Sequence, residues 1–574
     1  RLVPLFPFFL INLAMGLTRL PARTYWWVSQ LGMLPGTLVF VNAGRELGQL
    51  DSLAGILSPG LLGAFVLLGV FPLIARKLLG LIQARRVYAG WHKPKTFDRN
   101  LLVIGAGAGG LVSAYIAAAV KAKVSLIEKH QMGGDCLNTG CVPSKALLRS
   151  AKLANELKKG PALGFTGVQG TVDFPAVMQR IQRVIADIEP HDSVERYTGL
   201  GVEVIQGEAK ILSPWSVEVN GQTLTSRNLI IAAGARPLVP KIPGLEQVQS
   251  YTSDTIWSLR EQPRWLLVLG GGPIGCELAQ AFQRLGSQVI QVELAERLLP
   301  REDAEASELV LNSLRADGVD VRLQHRAERF EVVNGEQRMV ARRVDTGEEV
   351  TIAFDGLLLA LGRVANVTGY GVEELGLTVR PNGTLETDEY LATRFPNIYA
   401  VGDVTGPYQF THVAAHQAWY AAVNALFSGF KRFKVDYRVI PACTFTDPEV
   451  ARVGLSEGEA KAQNIAYEVT RYGIDDLDRA IADEAAHGFV KVLTVPGKDQ
   501  ILGVTIVGEH AGELLAEYVL AMKHGLGLNK ILGTIHTYPT MAEANKYAAG
   551  EWKRAHAPQG LLRLVERFHT WRRS

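Results

Sequence analysis

The stretch LLVIGAGAGGLVSAYIAAAVKAKVSLIEKHQMGGDCLNTGCVPSK, Leu101 to Lys145, decides how the rest of the chain is read. It opens on the uninterrupted apolar run of a strand buried on both faces, Leu101 to Gly105. An alanine-rich helix over Gly109 to Val120 and a second strand over Lys123 to Glu128 follow. The turn between strand and helix holds GxGxxG as Gly105, Gly107 and Gly110. The first glycine permits the tight turn, the second lets backbone approach a pyrophosphate, and the third lets helix pack on strand. Helix N-terminal amides then face the phosphates, and Glu128 closes the second strand where a carboxylate accepts from a ribose hydroxyl.

Two of the chain's four cysteines, Cys136 and Cys141, come next. On a regular helix their spacing would hold the side chains well apart, whereas a disulfide needs Cα atoms within about 7 Å. Gly140 and Pro143 are expected to distort the opening turn and bring the sulfurs together. Four cysteines are too few for a disulfide-stapled secreted scaffold, so we expect a reducing compartment and read any bridge as catalytic. Cys276 and Cys443 read as small packed hydrophobes.

The same pattern returns downstream. Trp265 to Leu269 is apolar, GGGPIGCE supplies Gly270, Gly272 and Gly275, and the strand Gln288 to Glu293 ends in an acid. Glu293 there accepts the 2′-hydroxyl of NADH and repels the 2′-phosphate of NADPH, so NADH is the expected partner and NADPH the lesser one. Arg297, one turn on, softens that preference. Two such units call for two dinucleotides.

With 574 residues the chain has room for three or four domains, since one core rarely grows past about 300 residues. A net charge of +3 is too balanced to suggest a nucleic-acid partner. The apolar excess lies before Lys93, where Leu2 to Leu17, Tyr25 to Ala43 and Ile56 to Ala75 carry no charge. About 20 residues span a bilayer core, so the last two runs are expected to form a spanning hairpin. The first, broken by Pro4, Pro7 and Asn12, is expected to be re-entrant. Arg76, Lys77, Arg85, Arg86, Lys93 and Lys95 follow the hairpin and place the larger portion of the chain on the cytoplasmic side. A buried helical domain is the alternative reading of these runs.

The words CLNTGCVPSK, LIIAAGARP, NIYAVGDVTG, IPACTFTDPEVARVGLSE and GVTIVGEHAGELLAEYVLAMKHG resemble the flavin-dependent pyridine nucleotide-disulfide oxidoreductases, the family of dihydrolipoamide dehydrogenase, glutathione reductase and mercuric reductase. The resemblance runs from Asn100 to about Arg554. Residues 1–44 are similar to the C-terminal portion of the DedA-type, SNARE-associated membrane family, and with Arg1 in place of Met a truncated start is expected.

Together these imply an α/β fold: two Rossmann-like dinucleotide-binding domains and an α+β C-terminal dimerisation domain, preceded by an α-helical membrane segment. The expected divisions are 1–96 (partial DedA-type membrane domain), 97–264 (first FAD-binding segment), 265–375 (NAD-binding domain), 376–436 (second FAD-binding segment), 437–552 (dimerisation domain) and 553–574 (basic amphipathic tail). The resemblance further implies FAD in the first dinucleotide unit, NADH in the second, and a homodimer.

The resemblance also assigns roles. Cys141 is the sulfur beside the flavin, Cys136 the interchange thiol, Lys145 the ammonium near the flavin, and Glu277 its acidic partner. Asp403 bonds the ribityl chain, Ala209 and Gly234 lie against the flavin, and Gly362 closes the second unit. Phe410, Thr411 and His412 pass near the flavin, His412 being read as structural. No resident metal is expected.

Two departures stand out. Asp135 replaces a threonine-like residue and puts a carboxylate near the flavin. IHTYPTMAE, Ile535 to Glu543, stands where dithiol-handling relatives have HxHPTxxE, with the His before Pro supplied by the partner subunit as acid and base. Aligned on Pro539, Thr540 and Glu543, that position is Tyr538, whose phenol rarely accepts a thiol proton at neutral pH. His536, two residues earlier, is expected to point the same way.

The expected activity is transfer of electrons from NADH through FAD to a Cys136–Cys141 disulfide and on to a small molecule or metal ion. A thiophilic metal, a quinone or another nicotinamide each stay open, as mercuric reductase-like or transhydrogenase-like chemistry. A membrane transport or lipid-handling protein with a flavoprotein redox sensor is the reading from another class. Leu561 to Arg573 reads as a basic amphipathic helix, either on a membrane or docked on the protein.

Overall fold

The computed structural model describes residues 85–574 without a break and, ahead of them, residues 26, 27, 29, 30, 33, 34, 37, 38, 41, 42, 44, 45, 66 and 70. Two compact units separate: Arg1–Lys93 with Arg394–Pro396, and Pro94–Thr393 with Asn397–Ser574. In the first, the described residues from Trp26 to Arg45 are helical. The expected re-entrant run Leu2 to Leu17 lies outside the described residues, as does the run Ile56 to Ala75 apart from Val66 and Val70, while part of the run Tyr25 to Ala43 is described. Among the described residues, no helix is long and apolar enough to cross a membrane.

The second unit uses one design twice. Strand Arg99–Ile104 pairs in parallel with Val124–Glu128 on one side and Gln222–Ile231 on the other. Leu101, Leu102 and Val103 are fully buried, as a central parallel strand requires, each contributing about 1.5–3 kcal/mol. Ile398–Ala400 adds in parallel to Gln222–Ile231, so chain from either side of the second dinucleotide unit shares one sheet. That second unit has its own parallel sheet, ordered Asp320–Arg322, Gln288–Val292, Trp265–Leu269, Gly356–Leu359, Ser250–Thr252. A three-stranded antiparallel sheet, His325–Val333, Glu336–Arg343 and Glu349–Phe354, precedes its strand Gly356–Leu359.

From Pro441 the chain forms a five-stranded antiparallel sheet. Helices Ala511–Lys523 and Glu543–Ala555 bury Tyr518, Ala548 and Trp552 in the same core. Helices Phe174–Ile188 and Val194–Gly199 are separated by a single turn at Glu189–His191. Pro190 has no amide to continue the first helix, and the Ser193 side chain caps the second by accepting from the Arg196 amide.

Candidate active site

Both dinucleotide turns are built alike. Gly105 and Gly270 take positive φ, 98° and 121°, which the sharp exit from each strand demands. A side chain on Gly110 or Gly275 would collide with the carbonyl of Gly105 or Gly270, whereas one on Gly272 would meet nothing within 4 Å. The third glycine therefore packs helix on strand, while the second is open at Gly272 and at Gly107 a side chain would meet only the Gly134 backbone, at 3.9 Å. The two acids are also equivalent. Glu128 accepts from the Ala106 amide at 2.7 Å and the His130 amide at 2.8 Å; Glu293 accepts from the amides of Gly271 and Ala295. Arg297 turns away and donates to the Pro300 carbonyl at 3.1 Å.

Cys136 and Cys141 are not on one strained helix. Cys136 ends up in the short helix Gly134–Asn138, the chain breaks at Thr139 and Gly140, and Cys141 starts the helix Cys141–Lys159. A Cβ on Gly140 would sit 3.0 Å from the Asp135 carbonyl oxygen, so glycine is what lets the chain fold back there. Pro143 lies in the new helix's first turn, where its missing N–H costs no intrahelical bond.

Both thiols are free. The Cys136 thiol donates to Cys141, and that hydrogen bond, with smaller help from Thr411 and the Lys145 ammonium, lowers the Cys141 pKa to about 6 against the opposing effect of burial. Thr411 Oγ1 lies 3.5 Å from Cys141 Sγ. Position at a helix N-terminus favours the same thiolate. Cys136 is pushed up correspondingly. Cys136 is half-buried and lines the main cleft, while Cys141 is the more exposed.

Lys145 Nζ lies 2.8 Å from Glu277 Oε2 and 4.3 Å from the centre of the Phe445 ring. Glu277 is buried and accepts from the Phe445 amide at 2.9 Å, so both carboxylate oxygens are satisfied. Arg363 was not singled out from the sequence. Its guanidinium pairs with Asp135, stands 3.8 Å from Asp254 and 3.7 Å from Asp403, and donates to the Ala235 carbonyl at 2.8 Å. Burial raises the Asp135 and Asp403 carboxyl pKa values despite the arginine. Gly362, at φ 111°, precedes Arg363, and its carbonyl accepts from the Leu238 amide.

The segment at Tyr538 is wired differently from the expectation. Tyr538 donates to Asp478 Oδ2 at 3.0 Å, which raises the phenol's pKa. Glu543 is buried and accepts from the Thr540 amide at 3.3 Å and from Tyr547. His536 does not point the same way as Tyr538. Its ring nitrogens meet the Thr534 carbonyl at 3.0 Å and Glu517 at 2.9 Å, and its side chain is only 7% exposed.

A cleft of about 470 Å³ joins residues of the first dinucleotide turn to those around the cysteines. Gly105, Gly107, Glu128, Asp135, Cys136, Ala209, Gly234, Asp403 and Thr411 line it. Cys141 and Lys145 adjoin it through Thr411 and each other, while Gly270, Gly272, Gly275, Glu293, Tyr538 and Glu543 are not among its lining residues. A Cβ on Gly134 would come within 2.6 Å of Gly107 Cα, so two glycine backbones form a cradle with no side chain to fill it. Bare amides at a helix start, with Glu128 and Asp403 nearby, suit a dinucleotide's pyrophosphate, ribose and ribityl hydroxyls.

Residues 99–418 match the pyridine nucleotide-disulphide oxidoreductases, 440–549 the dimerisation domain of that family, and 1–46 a VTT domain. The chain is 35% identical over 452 residues to a mercuric reductase of Bacillus cereus, covering 79% of this chain and 71% of that protein. It is 34% identical over 460 residues to a dihydrolipoyl dehydrogenase of Chlamydia muridarum, covering 77% of this chain and 94% of that one. The solved HOCl-induced flavoprotein disulfide reductase RclA from Escherichia coli superposes with a TM-score of 0.70 at 28% identity, over 79% of this chain and 99% of RclA. A Cu(II) complex of RclA matches equally well.

Proposed function

The chain belongs to the pyridine nucleotide-disulphide oxidoreductases, enzymes that use FAD and NAD(P)H, and on that ground we propose that it passes electrons from NADH through Cys136 and Cys141 to a thiophilic metal ion. FAD, when bound, supplies hydride acceptance and two-electron delivery to a disulfide. The chain's own residues do the rest. The first glycine turn and Glu128 hold one dinucleotide, Asp403, Ala209 and Gly234 line its cleft, and the second turn with Glu293 holds NADH. Lys145, kept in place by Glu277, favours negative charge beside the sulfurs. Cys141 is assigned the flavin side on its thiolate character and Cys136 the interchange role.

The metal reading rests on the lowered Cys141 pKa together with the segment at Tyr538, where among the described residues the phenol is held by Asp478 and the His536 ring by Glu517. Thiol–disulfide exchange needs a base for the leaving proton. A soft cation does not, because coordination itself displaces the Cys136 proton. Relatives named mercuric reductase and the Cu(II) complex of RclA support this choice. NADH oxidation measured with Hg(II), Cu(II), dihydrolipoamide-type disulfides and quinones in turn tests it. Turnover with the soft cations is expected, and turnover with disulfides alone contradicts it.

The dimerisation domain makes a homodimer the working assembly, and the VTT match brings membrane association. We assign 1–96 as the anchor, with catalytic residues 97–552 on the cytoplasmic face, divided at 264/265, 375/376 and 436/437, and 553–574 as a tail. The VTT match also favours a second reading, a membrane transport or lipid-handling protein whose flavoprotein portion senses redox state. NADH consumption without any of these acceptors, alongside redox-dependent transport, would favour it.

A further inference from the structure

The terminal helix Gln559–Arg573 buries none of its residues, which removes docking on its own chain as a reading among the described residues. Isolated helices of about 12–15 residues are marginal in water and owe their stability to whatever covers their apolar face. Here Leu561, Leu564, Val565, Phe568 and Trp571 recur at three- and four-residue steps and share one face. All five are exposed, Trp571 at 72%. Arg563 and Thr570 lie on the opposite side, Arg567 borders the stripe one turn before Trp571, and Arg572 and Arg573 end a helix whose one acid is Glu566.

We propose that this helix lies in the surface of an anionic lipid bilayer and forms a second membrane contact, separate from the N-terminal segment. An apolar stripe carrying a large aromatic, flanked by arginines, suits the headgroup boundary, where apolar burial and attraction to anionic lipid act together. Arg572, whose guanidinium stands 5.8 Å from the Phe568 ring centre, has the reach to keep its charge at headgroup level while its stem covers apolar surface. A protein partner would need acidic complementarity to the same four arginines, and a second copy of this chain offers the same basic face.

The full-length chain in lipid nanodiscs provides the test, read by amide hydrogen exchange over residues 559–573. Exchange about tenfold slower in phosphatidylglycerol-containing discs than in phosphatidylcholine discs is expected, with the difference lost near 1 M salt, where charges are screened within about 3 Å. Arg563→Gln, Arg567→Gln, Arg572→Gln and Arg573→Gln together should abolish the difference, as should Phe568→Asp alone, with NADH oxidation unchanged. Equal exchange in the two bilayers overturns the proposal. So does protection already present in detergent that grows with protein concentration, which would mean a second copy covers the face. The readout is local to the tail, so it is distinguishable from any failure of the N-terminal segment to insert.

Discussion

Tyr538 gives its phenolic hydrogen to Asp478 at 3.0 Å and makes no hydrogen bond to Glu543, five residues along the same segment. A phenol so held is a poorer acid than usual and offers no base at neutral pH. Tyr538→His should place an imidazole against Asp478 and create an oriented base. Dihydrolipoamide-type turnover is expected to rise by about 10²-fold, the low end for general acid–base catalysis, with an optimum nearer neutral pH. Adding Asp478→Asn should remove most of that gain. No gain in Tyr538→His would show that proton transfer does not limit the reaction.

Lys145 and Glu277 form the ion pair that ties the dithiol helix to the first helix of the second dinucleotide unit. Lys145→Met leaves a buried carboxylate with only the Phe445 amide. Breaking such a pair costs up to about 3–5 kcal/mol, to be read as a lower unfolding midpoint in denaturant. The same variant removes a cation that favours the Cys141 thiolate. In the wild type, alkylation of Cys141 should rise with pH through about 6, since only the thiolate reacts, and the variant's midpoint should lie higher.

Arg363 faces Asp135, Asp254 and Asp403, three acids that line the cleft. Arg363→Gln leaves those carboxylates facing one another and any bound pyrophosphate, so FAD retention through gel filtration should fall. Arg363→Lys should restore some of it. Burial already raises the Asp135 and Asp403 carboxyls, so lowering pH neutralises them and should improve retention in the glutamine variant. Retention independent of pH would argue against the charge explanation.

Glu293 has both carboxylate oxygens fixed by the Gly271 and Ala295 amides. Glu293→Gln should cut the preference for NADH over NADPH about tenfold, equivalent to about 1.4 kcal/mol, mainly through a higher KM for NADH. Arg297 donates to Pro300 and not towards this acid, so Arg297→Ala should leave the ratio nearly unchanged.

Much of the fold was legible locally. A strand, a glycine turn and a helix are set by neighbours in sequence, and both dinucleotide units could be read with their acids. The Cys136–Cys141 arrangement was half legible: a distorted opening turn at Gly140 and Pro143 was expected, whereas the two cysteines lie on separate helices divided at Thr139 and Gly140. Arg363 and Asp478 were not legible, because their partners lie 228 and 60 residues away and no spacing rule connects an arginine to an acid across a sheet. His536 was misread because alternation on an extended strand says nothing about a Glu517 waiting on another helix.

The central claim is that electrons from NADH arrive at Cys136 and Cys141. Anaerobic titration of the oxidised, FAD-loaded protein with NADH, followed by alkylation and mass spectrometry, reads this directly. One equivalent of NADH is expected to render Cys136 and Cys141 alkylatable together, with Cys276 and Cys443 unchanged; NADH consumed while Cys136 and Cys141 stay bridged would contradict it.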